Sequence, residues 1–214
     1  CPSICLYCSF SSSPLERWRD QVDAYLDALL KELDFIAEAM KDKVLDTIYI
    51  GGGTPTTLEP YQIRRLLSHI SEKFPVEQVK EYTVEAGRPD SITREKLQAL
   101  REFPVTRISV NPQTMNQATL DLIGRKHTVE DTRHAFALAR ECGFDNINMD
   151  LIVGLPGEQK EDVQRTLEEI KKLDPDSLTV HSLAVKRAAR LNMFKDQYQE
   201  MGFINNQEIM NLAM

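Results

Sequence analysis

Asp46-Thr47-Ile48-Tyr49-Ile50-Gly51-Gly52-Gly53-Thr54-Pro55 is the stretch on which the fold turns. A short β-branched run stops abruptly at three glycines, and residues 60–73 then carry Ile63, Leu66, Leu67 and Ile70 at helical spacing. That is a strand, a tight loop and a helix, one βα unit. The same unit recurs downstream. A long helical pattern (Val22, Leu26, Leu29, Leu30, Leu33, Ile36, Ala37) over 15–41 precedes it. Strand patterns at 81–86, 107–111, 146–153 and 177–183 follow it, separated by helical stretches at 93–102, 116–123, 129–142 and 159–173. The tail from 186 reads as an indistinct helix. Strand–helix alternation predicts a parallel sheet with right-handed crossovers, in the α/β class, either open or closed into part of a barrel. A complete eight-unit barrel needs three more strands than the sequence shows.

Composition bounds the rest. The chain has 214 residues, enough for one well-buried domain, and no linker or low-complexity tract marks a second. With 26 Lys+Arg against 33 Asp+Glu the net charge is −7, which argues against a nucleic-acid partner held through phosphates. No apolar run reaches the ~18 residues of a membrane span, and no segment looks like a signal peptide.

The four cysteines are unevenly placed. Cys1, Cys5 and Cys8 crowd the start, and Cys142 stands alone at the end of a helical stretch, where it reads as a small apolar residue. Crowded thiols with no second Cys/His pair favour an iron–sulfur site over structural zinc, which usually takes its cysteines in pairs. A three-thiolate zinc site remains the alternative, with an incidental surface cluster behind it.

In parallel α/β folds the chemistry gathers at the carboxyl ends of the strands. Those positions hold Gly51–Thr54, Glu85, Gln113 and Asp150. Three successive glycines let the backbone approach a ligand, whereas one would suffice for a turn. An acidic side chain within an apolar strand needs a partner, since unpaired burial costs several kcal/mol. Arg125 could supply a bidentate partner for a carboxylate, although on its own it reads as a solvated arginine. Lys186, Arg187 and Arg190 read as a solvated basic face, His181 as a satisfied interior histidine, and Trp18 as the anchor of the first helix on the sheet.

Cys1-x3-Cys5-x2-Cys8 with Tyr7 inside it, together with Gly51-Gly52-Gly53-Thr54-Pro55, resembles the radical S-adenosylmethionine (SAM) superfamily. Arg107-Ile-Ser-Val-Asn-Pro-Gln-Thr114 and Asn148-Met-Asp-Leu-Ile-Val-Gly-Leu-Pro-Gly157 resemble its oxygen-independent coproporphyrinogen III oxidase group, which includes the HemN, HemW and HemZ types. Glu81–Thr93 is most similar to the HemZ type.

The resemblance implies a partial (β/α)6 TIM-like barrel whose first strand precedes Cys1 and is absent from this chain. Residues 1–214 would then be a truncated radical SAM core without the family's carboxy-terminal domain. It implies a [4Fe–4S] cluster on Cys1, Cys5 and Cys8, with one iron left open to the amino and carboxylate groups of SAM. Reductive cleavage of SAM releases a 5′-deoxyadenosyl radical. Tyr7 would contact SAM beside the cluster, and Gly52, Gly53 and Thr54 would line its methionine end. Glu85, Gln113, Arg125 and Asp150 would hold the remainder, and Ala184 would meet the adenine through its backbone.

The implied activity is oxidative decarboxylation of coproporphyrinogen III in haem biosynthesis, in the cytoplasm, with an electron donor such as flavodoxin or ferredoxin. One position departs from the decarboxylase pattern. HemN carries a fourth cysteine two residues after the cluster motif, where this chain has Phe10; HemW and HemZ types share Cys-x-Phe. The alternative reading is therefore a haem chaperone that keeps the cluster and SAM without decarboxylating.

Overall fold

A computed structural model describes residues 1–10, 13–197 and 211. Five parallel strands, β1 (Thr47–Ile50), β2 (Glu81–Glu85), β3 (Arg107–Ser109), β4 (Ile147–Val153) and β5 (Ser177–Ser182), form one sheet in sequential order. Between and before them run α1 (Val22–Ala39), α2 (Pro60–Lys73), α3 (Arg94–Arg101), α4 (Gln117–Leu122), α5 (Val129–Glu141) and α6 (Lys160–Leu173). Sequential strand order with crossovers of one hand puts the connecting helices on one face, which is how a (β/α) barrel wall is built. Among the described residues β1 pairs only with β2 and β5 only with β4, so these two strands form the edges of the sheet.

The helices start where local chemistry satisfies their first N–H groups. Thr128 and Asp131 form a reciprocal capping box at α5, with Thr128 Oγ1 accepting from Asp131 N at 3.0 Å and Asp131 Oδ2 from Thr128 N at 2.7 Å. Gln159 and Asp162 do the same for α6, and Pro60 opens α2 at a position where its missing N–H costs nothing. Apolar residues on the inward stripes of these helices meet the alternate residues of the strands. Leu67, Leu97, Leu100, Tyr82, Ile108, Ile147 and Met149 are essentially inaccessible in that core.

The other strand positions are polar. Glu81, Thr83, Arg107, Asn148, Ser177 and Thr179 form a connected network on the face away from the helices. Arg107 donates to Ser177 Oγ at 3.3 Å, Ser177 Oγ to Asn148 Oδ1 at 2.9 Å and Thr179 Oγ1 to the same oxygen at 3.1 Å. The sheet is therefore two-sided, with an apolar back and a polar interior, as period-2 alternation demands.

The structure corrects five expectations. Residues 15–21 form two 3-10 turns, Leu15–Arg17 and Arg19–Gln21, and the first α-helix begins only at Val22. Trp18, between those turns, is 44% exposed and donates Nε1–H to Ser13 Oγ, so it does not anchor the helix on the sheet. His181 lies exposed on β5, which among the described residues is the last strand of the sheet. Strand β3 ends at Ser109, two residues early, since after Val110 N donates to Asn148 O at 2.8 Å the chain leaves the ladder and rejoins it at Gln113. The expected tail helix is a 3-10 stretch over Arg190–Gln197, and its continuation lies outside the described residues. Cys142 caps α5 and packs against the core, as expected.

Candidate functional site

The amino-terminal loop lies across the carboxyl ends of the strands, held there from several directions. Leu6 N donates to Ile123 O at 2.9 Å, Ser3 Oγ to Gly124 O at 3.0 Å, and Leu191 N to Leu6 O at 2.8 Å. All four cysteines are free thiols. Cys1 Sγ stands 3.5 Å from the hydroxyl of Thr54, in the loop after β1. Cys5 is buried, with an N–H of Arg88 3.6 Å from its sulfur. Cys8 closes a turn on Cys5 through its backbone N–H at 3.2 Å.

Two of the three glycines in the loop have a reason in the structure. A Cβ on Gly51 would run into the ring of Tyr49, and Gly52 adopts φ +108°, where L side chains are strained. Gly53 lies beside Cys1, its Cβ position 3.6 Å from the sulfur. Glu85, at the end of β2, pins this turn: it accepts from Gly52 N at 3.2 Å and from the hydroxyl of Tyr49. Partial burial and the Glu85 carboxylate both push the Tyr49 phenol up, so it remains a donor.

Gln113 and Asp150 meet where β3 and β4 resume pairing. Gln113 N donates to the backbone carbonyl of Asp150 at 3.0 Å, and Ile152 N to Gln113 O at 2.8 Å. Gln113 adopts φ 70° and is buried, a backbone state that a non-glycine residue holds only when its surroundings fix it. The Asp150 side chain accepts from Asn148 Nδ2 at 2.7 Å.

Arg125 is 5% exposed, so the solvated reading of it is wrong. It donates to Gly87 O at 3.0 Å and to Tyr7 OH at 3.2 Å, which ties the cysteine loop to the turn after β2. Its Nε is buried without a partner. A buried guanidinium donor with nothing to bind is a place for an anionic acceptor. Burial pushes the Tyr7 phenol up to about 12, so it too stays protonated at neutral pH.

The structure thus brings together Cys1 with Gly53 and Thr54, Tyr7 with Arg125, Glu85 with Gly52, and Gln113 with Asp150. Ala184 follows β5 on an exposed stretch, and Lys186, Arg187 and Arg190 are exposed beyond it. Sequence reasoning missed Tyr49, Asn148 and Arg88. The first two were accessible through alternation, being two residues from Thr47 and Asp150 on the same sheet face. Among the described residues no three Cys, His, Asp or Glu side chains surround a point that could hold one metal ion. A cubane cluster does not ask for that, because each thiolate ligates a different iron.

The radical SAM superfamily model matches residues 1–170, most of the chain. The chain belongs to that superfamily. Its cofactors are those of radical SAM proteins, a [4Fe–4S] cluster and SAM. Three free thiols with hydrogen-bond donors at two of their sulfurs, beside a buried cation with an idle donor, are a donor set that fits this pair. The chain is 44% identical over 205 residues to the oxygen-independent coproporphyrinogen-III oxidase-like protein HemZ of Bacillus subtilis, covering 94% of this chain and 41% of that protein. It is 37% identical over 187 residues to the heme chaperone HemW of the same organism, covering 87% and 48%. The solved structure of HemN from Escherichia coli, a coproporphyrinogen III oxidase and radical SAM enzyme, superposes with TM-score 0.87 at 29% identity. That match covers 100% of this chain and 49% of the HemN chain. The chain therefore spans less than half the length of each of these relatives.

Proposed function

We propose that residues 1–214 are the cofactor-binding core of a radical SAM oxidoreductase that decarboxylates coproporphyrinogen III in haem biosynthesis. The observation that carries this reading is the cysteine loop docked over the glycine turn, within a chain 44% identical to a coproporphyrinogen oxidase-like protein. Cys1, Cys5 and Cys8 ligate the cluster. Tyr7, Gly52, Gly53, Thr54, Glu85, Gln113, Arg125, Asp150 and Ala184 form the SAM pocket. When bound, the cluster and SAM supply a one-electron reduction and the hydrogen-abstracting radical that starts removal of a propionate carboxyl as CO2.

The chain's own residues orient and enclose. Arg125, with its free Nε–H, faces the methionine carboxylate. The acceptors Glu85 and Asp150 suit ribose hydroxyls or the ammonium, and both are already oriented, by Gly52 N–H and by Asn148. The glycine turn leaves the backbone open beside Cys1. The electron comes from a flavodoxin or ferredoxin, and the protein works in the cytoplasm. No helix among the described residues is long and apolar enough to cross a membrane.

Phe10 favours a second reading, a haem chaperone of the HemW kind. It occupies the position of the decarboxylase's fourth cysteine and is 74% exposed. Anaerobic turnover of the full-length protein with SAM, reductant and coproporphyrinogen III separates the two. The oxidase yields 5′-deoxyadenosine and decarboxylated tetrapyrrole together. Stoichiometric haem binding and transfer, with the tetrapyrrole unchanged, would replace it with the chaperone.

A further inference from the structure

Gly87-Arg88-Pro89-Asp90 forms the turn that leaves β2. Arg88 is 4% exposed, one of two arginines buried this deeply among the described residues, the other being Arg125. A buried guanidinium must be paired, and Asp90 pairs it: Nε reaches Asp90 Oδ1 at 3.1 Å and Nη2 reaches Oδ2 at 3.2 Å. The pair leaves two nitrogens with further N–H groups, and both point at the cysteine loop. Nη2 donates to Ser3 Oγ at 2.9 Å and Nη1 to the carbonyl of Ser3 at 3.3 Å. Nη1 also stands 3.6 Å from Cys5 Sγ, a normal distance for a hydrogen bond to sulfur.

We propose that Arg88 is a positioning residue that raises the reduction potential of the cluster by donating to the Cys5 sulfur, with Asp90 opposing it. The inference rests on the assignment of Cys5 as a cluster ligand. Cys5 is 8% exposed, so water competes poorly for its sulfur and the guanidinium is its neighbouring charge. Reduction adds one negative charge to the cluster and its thiolates. A fixed cation and an N–H donor at a ligating sulfur stabilise the reduced form more than the oxidised one. The Asp90 carboxylate lies on the far side of the same guanidinium and cancels part of that field.

The geometry therefore makes opposite predictions for two neighbours in one turn. Arg88→Gln removes the charge and lowers the potential. Asp90→Asn leaves the cation in place, removes its counter-charge and raises the potential. Arg88→Lys keeps the charge without the fork and recovers part of the loss. A residue that only fastens the loop would change cluster loading in all three variants and give no opposition of sign.

The test is an EPR-monitored redox titration of the full-length protein, reconstituted anaerobically, without SAM. At the parent protein's midpoint, Arg88→Gln is expected to cut the ratio of reduced to oxidised cluster about tenfold, a downward shift of about 59 mV for a one-electron couple. Asp90→Asn is expected to raise that ratio several-fold. Clusters of normal iron content whose midpoints do not move, or move in one direction in both variants, would overturn the inference alone. A parent protein that assembles no cluster would overturn the ligand assignment and the inference with it.

Discussion

Glu158 is an acid held where a charge is costly. It is 1% exposed, in the loop after β4, and accepts from the hydroxyl of Thr114 at 2.5 Å. Thr114 in turn lies 3.2 Å from Thr166 Oγ1 on α6, whose hydroxyl also accepts from Met115 N at 3.1 Å. This knot fastens the loop that carries Gln113. Burial pushes the Glu158 carboxyl up to about 7, against the pull of its threonine partner. In the unfolded chain it ionises near the ordinary carboxylate value of 4.5, so between there and 7 the folded state holds more protons. Stability from this group is present below that window and is lost as pH rises through it, on the order of 3 kcal/mol in all. Urea unfolding at pH 5 and pH 8 is expected to show a larger fall for the parent protein than for Glu158→Gln. Equal falls would remove Glu158 as the cause.

Arg125 gives a second test at this scale. Its side chain spends two nitrogens on Gly87 and Tyr7 and keeps Nε–H in reserve. Loss of a hydrogen bond to a charged group costs about 1.5–3 kcal/mol, so Arg125→Met is expected to weaken SAM binding roughly 10- to 100-fold by calorimetry. Unchanged affinity would place the SAM carboxylate elsewhere.

At the scale of elements, the site depends on loops and the loops depend on where helices begin. α5 starts at Val129, directly after the Arg125–His127 segment, and its capping box fixes that start. Thr128→Ala removes the acceptor for Asp131 N and is expected to cost about 1 kcal/mol, read as a lower urea midpoint. Thr128→Ser keeps the hydroxyl and is expected to restore most of it. Likewise β2 and β4 are more than scaffold. Each ends or passes through the site with one acidic residue on the polar face, Glu85 and Asp150, while Val84 and Leu151 on the other face lock the strand into the core. Ile108→Ala, at a fully inaccessible position of β3, is expected to cost about 2–5 kcal/mol through the cavity it leaves.

At the scale of the whole molecule, strand order and helix placement were legible because both follow from periodicity and crossover geometry. The position of Glu85 at the end of β2 and of Gln113 just past β3 was legible from the strand pattern, whereas Asp150 lies in the middle of β4, on its polar face. Burial of the two arginines was not legible. Arg125 is buried by Tyr7, 118 residues away in sequence, and Arg88 by Ser3 and Cys5, 85 and 83 residues away, and a loop pattern carries no trace of such contacts. The 3-10 start of the chain was hidden for a related reason, since apolar spacing over so few residues suits either helix and Trp18 finds its partner locally in Ser13.

The proposed function turns on the loop of Cys1, Cys5 and Cys8 as the part of the chain that would hold the cluster beside SAM. The direct measurement is iron and sulfide content with EPR of the reduced full-length protein, reconstituted anaerobically, before and after SAM is added. About four iron and four sulfide per chain are expected, with a signal that shifts on SAM addition and is lost with Cys5→Ala. Zinc in place of iron, or a cluster signal indifferent to SAM and to Cys5, would contradict the account.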